Sequence, residues 1–88
     1  MAKRKTPNVV IYTTRHCTHC KQAIRQLRSW KVGFCEMDIE TNHLAYAEFR
    51  RLRARGVPVI TIGERHLFGF DAKRLRQLLE EAGISVSG

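Results

Sequence analysis

From about Asn8 to Thr14 the chain is apolar, β-branched and free of charge, which is the pattern of a buried strand. At Cys17 the period becomes helical. Cys20, Ala23, Ile24, Leu27 and Trp30 fall on one face, and Lys21, Gln22, Arg25 and Arg28 on the other. Gly33 is the expected stop of this helix. Beyond it the residues alternate, with Cys35, Met37 and Ile39 on one side and Phe34, Glu36 and Asp38 on the other, which predicts a half-covered edge strand. Thr41 or Asn42 offers an N-cap for a second helix that turns Ala45, Phe49 and Leu52 inward. That helix is expected to stop at Gly56, with Arg50, Arg51, Arg53 and Arg55 in its last turns, where cations suit the helix dipole. Val57 to Ile62 predicts a strand, Gly63-Glu64 a two-residue turn with glycine first, and Arg65 to Phe68 the returning antiparallel strand. Asp71 caps the last helix, which carries Leu75, Leu78, Leu79 and Ala82 on its core stripe and stops at Gly83.

The element order is therefore β-α-β-α-β-β-α, an α/β class. A helix joins the first two strands, so they must be parallel, while the hairpin makes the last pair antiparallel. One mixed four-stranded sheet with helices on both faces follows. The boundaries divide the chain into a basic N-terminal tail over residues 1–7, one domain over 8–83 and a C-terminal tail over 84–88.

A chain of 88 residues that is 43% hydrophobic suits one compact core, because a domain this short buries only about 60% of its unfolded surface. The apolar runs exclude a disordered chain despite 27% charged residues. Only Val9-Val10-Ile11-Tyr12 follows the basic start, well short of the apolar region of a signal peptide, and no run is long enough to span a membrane. Three cysteines are too few for a disulfide framework. The expected setting is reducing and cytoplasmic. A net charge of +8 favours acidic partners. Nucleic acid ranks low among them, because the basic residues spread over three helices and a tail with no interleaved aromatic residues for stacking.

The chemistry concentrates at Cys17-Thr18-His19-Cys20, which falls at a strand-to-helix junction. A cysteine at a helix N-terminus lies beside unpaired N–H groups and the positive end of the dipole, and both favour thiolate over thiol. Arg15, His16, Lys21 and protonated His19 add positive charge. Cys20, one turn on, can reach back to resolve a mixed disulfide on Cys17. These two are the candidate catalytic residues. A zinc site is the minor alternative: only His16 and His19 lie close enough in sequence to complete four ligands, and adjacent ligands of that kind strain a tetrahedron. No metal site is expected. Cys35, on the apolar side of its strand, is expected to be a small buried hydrophobe without chemistry. His43 and His66 are expected at the surface.

Val9-Val10-Ile11-Tyr12-Thr13 before Cys-x-x-Cys, then Gly56-Val57-Pro58-Val59-Ile60, then Gly69-Phe70-Asp71, resembles the glutaredoxin family over nearly the whole chain, in particular its glutaredoxin-like bacterial members. The resemblance implies a thioredoxin fold and a thiol-disulfide oxidoreductase that reduces protein or glutathione mixed disulfides. By it, Pro58 is a cis-proline that presents the Val57 backbone to an extended substrate beside Cys17. Asp71 and the Phe70 backbone match the positions that grip the γ-glutamyl end of glutathione. Phe70 stands where a second glycine is usual and Thr14 where a lysine is usual, leaving Arg15 or Lys21 to meet the glycyl carboxylate. No tightly bound cofactor is implied; glutathione is the reductant or co-substrate, and a thioredoxin reductase is the other donor known among such proteins. The alternative function implied is a glutathione-dependent glutaredoxin that binds an iron-sulfur cluster between two subunits.

Overall fold

The computed structural model describes residues 7–87, so the basic tail expected at the N-terminus lies, apart from Pro7, outside the described residues. Strand β1 (Val9–Thr13) alternates between two cores. Val9 and Ile11 join one, and Val10 and Tyr12 the other. Helix α1 (Thr18–Ser29) crosses over to strand β2 (Cys35–Asp38), which pairs parallel with β1 through Val10↔Cys35 and Tyr12↔Met37. Helix α2 (His43–Arg51) follows, then the hairpin of β3 (Val59–Ile62) and β4 (Arg65–Phe68), and last α3 (Ala72–Glu81). β3 runs antiparallel to both β1 and β4, giving the order β2-β1-β3-β4. Both ends of the expected sheet are thus edges, and β1 and β3 are its buried centre.

Two helices share one face because their stripes match it. Ala23 and Leu27 of α1 and Leu75 and Leu79 of α3 are fully buried against Ile11 and Ile60. Each large aliphatic side chain removed from water in this way contributes about 1.5–3 kcal/mol. On the opposite face Ala45, Phe49 and Leu52 cover Tyr12 and Val59. Ile84 and Val86, beyond the boundary drawn at Gly83, pack on the larger core, and the Ser87 N–H donates to the Trp30 carbonyl at 3.0 Å.

Four local expectations are corrected. α1 ends at Ser29, not at Gly33: Lys31 takes the left-handed conformation (φ 60), its N–H bonds the Arg28 carbonyl and the Val32 N–H bonds the Leu27 carbonyl. The chain has to turn there to bury Val32 beside Leu27, and that gain outweighs the cost of a left-handed lysine. α2 likewise ends at Arg51, with Arg53 left-handed (φ 58), so Arg53 and Arg55 lie in the loop after the helix and Gly56 does not stop it. β3 starts at Val59 rather than Val57, because Val57-Pro58 forms a cis peptide ahead of the strand. Cys35 is exposed rather than buried. It opens an edge strand where no helix covers it fully. Gly63 does take positive φ (62) in the hairpin turn and Gly83 (φ 81) does close α3, as the pattern predicts.

Candidate active site

β1 delivers the chain to the helix through Thr14, Arg15 and His16, and the loop is held by the Arg15 N–H donating to Glu40 Oε1 at 3.1 Å. Cys17 is the N-cap of α1, with extended backbone (φ −103, ψ 110). Its carbonyl accepts the Lys21 N–H at 3.2 Å and its Sγ accepts the Cys20 N–H at 3.1 Å. The sulfur thus stands where a serine or aspartate oxygen usually satisfies an orphan helix donor. The first turn of α1 holds no acidic residue, so the positive end of its dipole is left to that sulfur.

Cys20 is placed oppositely. Its side chain is 1% exposed, and burial followed by its contact with Cys17 pushes its pKa up to about 12. The negative charges of Cys17 and Glu36 push the same way, while a backbone hydrogen bond with Thr14 opposes them. At neutral pH Cys20 is a thiol.

The third component comes from the loop before β3. Cys17 Sγ lies 3.8 Å from the Val57 carbonyl, to which the thiol donates. Pro58 is fully buried and its carbonyl accepts the Gly69 N–H at 2.8 Å, which ties this loop to the end of β4. Phe70 and Asp71 follow directly. Asp71 caps α3, accepting the Arg74 N–H at 3.1 Å on Oδ1, and its side chain is exposed. The Phe70 ring packs against the larger core and borders Gln22, Arg25 and Gln26 of α1.

Hydrogen bonds therefore join Cys17 to Cys20 and to Val57, Pro58 follows Val57 and bonds Gly69, and chain continuity from Gly69 brings Phe70 and Asp71 alongside. Arg15 and Lys21 are exposed next to the dithiol, and Lys21 meets it through its backbone N–H on the Cys17 carbonyl. Pattern reading missed Glu36. It accepts the buried Thr13 hydroxyl at 3.1 Å, below the first turns of α1. The available signal was Thr13 itself: a hydroxyl at the end of a buried strand needs an acceptor. His16 and His19 are exposed, and among the described residues no three His, Cys, Asp or Glu side chains converge on a metal position. No helix of the described residues is long and apolar enough to cross a membrane.

A cysteine-capped helix leaving the central strand and a cis-proline loop facing its sulfur define a thioredoxin-fold thiol-disulfide oxidoreductase. The chain belongs to the glutaredoxin family, whose model, described as "Glutaredoxin", matches residues 9–67. A glutaredoxin of Neisseria meningitidis serogroup A is 40% identical over 72 residues, 78% of this chain and 85% of the relative. The fold is shared with the glutaredoxin-like NrdH-redoxin of Escherichia coli (TM-score 0.74, 22% identity, 81% of this chain and 93% of that one). It is also shared with buckwheat glutaredoxin solved as a glutathione complex (TM-score 0.70, 18% identity, 91% and 83%).

Proposed function

We propose that this oxidoreductase reduces protein disulfides and glutathione mixed disulfides, with Cys17 as the attacking sulfur and Cys20 as the resolving one. The contact of Cys17 Sγ with both the Cys20 N–H (3.1 Å) and the Val57 carbonyl (3.8 Å) carries the proposal. It leaves one sulfur facing the substrate strand while the other stays sealed. Cys17 thiolate attacks one sulfur of the substrate disulfide; a Cys17–substrate bond forms, the substrate S–S bond breaks and the released thiolate takes a proton. Cys20 then loses its proton and attacks Cys17, forming the Cys17–Cys20 disulfide and releasing the second substrate thiol. Two glutathione molecules return the pair to the dithiol and leave as glutathione disulfide.

Val57 offers its backbone to the extended substrate on one side of Cys17. For glutathione, Asp71 and the Phe70 backbone receive the γ-glutamyl end and Arg15 or Lys21 the glycyl carboxylate. Asp71 spends Oδ1 on the Arg74 N–H, so its other oxygen is left for the ligand's ammonium. The Phe70 ring packs against the larger core and borders α1, and no hydrogen bond of the described residues takes its N–H. The buckwheat glutaredoxin of the same fold holds glutathione, which supports this assignment.

The test is turnover of purified variants. Cys17→Ser is expected to lose reduction of both substrate types. Cys20→Ser is expected to lose reduction of protein disulfides and to keep release of glutathione from mixed disulfides, where an external thiol can resolve the adduct. Full activity of Cys17→Ser would refute the assignment. Offering the oxidised protein glutathione alone, or NADPH with a thioredoxin reductase, decides the donor: rapid reduction only by the second would replace glutathione in this scheme.

A further inference from the structure

Beside the dithiol the surface forms a groove of about 450 Å³, lined by Arg53, Ala54, Arg55, Val57, Phe68 and Gly69. That volume falls within the usual range for a ligand site, about 300–1,000 Å³. Its inner wall is Val57, whose carbonyl lies 3.8 Å from Cys17 Sγ. Its outer wall is Phe68, 56% exposed on edge strand β4, with its ring 6.2 Å from that of His66. Of the large apolar side chains exposed among the described residues, Phe68 is the one that lines this groove.

The charge of the groove has one sign. Arg53 and Arg55 are exposed and neither forms an ion pair with a carboxylate of the described chain, whereas Arg51, Arg65 and Arg76 each do. Arg53 holds the left-handed position that ends α2, so its side chain leaves the helix at the loop leading to Val57. Among the described residues no carboxylate lines the groove.

We infer that this groove is a docking site for an extended polypeptide segment of the target protein, carrying acidic residues and an aromatic or large apolar side chain next to its disulfide. The proposal rests on the assignment of Cys17 and Cys20 as the redox dithiol and names the substrate class they serve. Charge complementarity supplies the acidic side chains, which meet Arg53 and Arg55. The exposed Phe68 ring and the Ala54 and Val57 walls supply a place for the apolar one. A polypeptide fits better than nucleic acid, because Val57 on the groove's inner wall neighbours the sulfur that reacts with disulfides, and a single ring offers no row of stacking platforms.

Two disulfide-linked peptides of identical length test it, one with two Glu and a Phe flanking the disulfide and one with two Gln and a Phe. At low ionic strength kcat/KM is expected to favour the acidic peptide by about tenfold, as two exposed charge pairs of modest strength allow. High salt and the double substitution Arg53→Gln, Arg55→Gln are both expected to bring the ratio close to one. Phe68→Ser is expected to raise KM for both peptides and leave the ratio in place. A ratio near one in the parent protein, or a ratio that the double substitution leaves intact, would overturn the groove. So would an oligonucleotide that displaces the acidic peptide at equal concentration. Failure to reduce either peptide is a different result, since it removes the dithiol assignment itself.

Discussion

Cys20 donates its backbone N–H to the sulfur of Cys17 at 3.1 Å while its own side chain is sealed at 1% exposure. One residue thus does two things for its partner. Its amide faces the Cys17 sulfur, and in the proposed scheme its thiol waits one helical turn away as the second nucleophile. The asymmetry comes from the helix: residue i lies outside as the cap, and residue i+3 lies on the buried stripe with Ala23 and Leu27.

The burial of Cys20 has a signature in the pH dependence of stability. Its folded pKa is raised from 9.0 to about 12, so between those values the folded protein holds a proton that the unfolded chain has lost. Stability from this group is complete below about pH 9 and falls as pH rises toward 12, by at most about 1.4 kcal/mol per pH unit. Urea unfolding of the parent and of Cys20→Ala from pH 8 to pH 11 checks this. The difference between the two curves is expected to narrow upward through the window; parallel curves would contradict it.

Glycines 33 and 83 predict opposite effects for the same substitution. Gly83 holds φ +81 at the end of α3, where alanine costs about 1–2 kcal/mol. Gly33 lies outside the left-handed region with nothing within 4 Å of an added Cβ, so alanine there is expected to stabilise by about 0.4–1 kcal/mol. Thermal or urea midpoints of the two variants settle the signs.

That contrast also explains which parts of the fold were legible. Element order, strand directions and the cap at Asp71 follow from periodicity and local chemistry, and the structure has them; of Thr41 and Asn42, both offered as caps, it uses Asn42. Gly33 and Gly56 do not mark the helix ends, because glycine shows only where a left-handed residue is cheap, whereas after α1 the turn falls where Val32 is buried. That is a tertiary requirement, met by Lys31 at φ 60. Cys35 was misplaced for a related reason: alternation identifies the side of a strand, but it does not say how far a helix extends over it. At the site, the dithiol and Pro58 were readable as motifs. The Thr13–Glu36 hydrogen bond and the groove at Arg53 and Phe68 depend on side chains brought together from distant segments.

Asp71 caps α3 and carries the proposed γ-glutamyl contact, and substitution separates the two. Asp71→Ala removes the acceptor for the Arg74 N–H and is expected to cost about 0.5–2 kcal/mol of stability as well as glutathione affinity. Asp71→Asn keeps an N-cap acceptor but loses the charge, so stability is expected to stay near that of the parent while KM for glutathione rises. An unchanged KM in both variants would leave Asp71 as a cap alone.

Cys35 is exposed at the start of β2, away from the dithiol contacts, so Cys35→Ala is expected to retain full turnover. The comparison of initial rates is direct, and a loss above about twofold would bring this thiol into the reaction. The variant also gives a protein in which Cys17 and Cys20 are the remaining thiols.

In that Cys35→Ala background, the decisive measurement is mass-spectrometric mapping of the adduct formed when Cys20→Ser meets a disulfide substrate, with Cys17→Ser as its counterpart. The account predicts one stable mixed disulfide on Cys17 in the first protein and none on the sealed Cys20 in the second. An adduct forming on Cys20 at a comparable rate would contradict the assignment of Cys17 as the attacking sulfur.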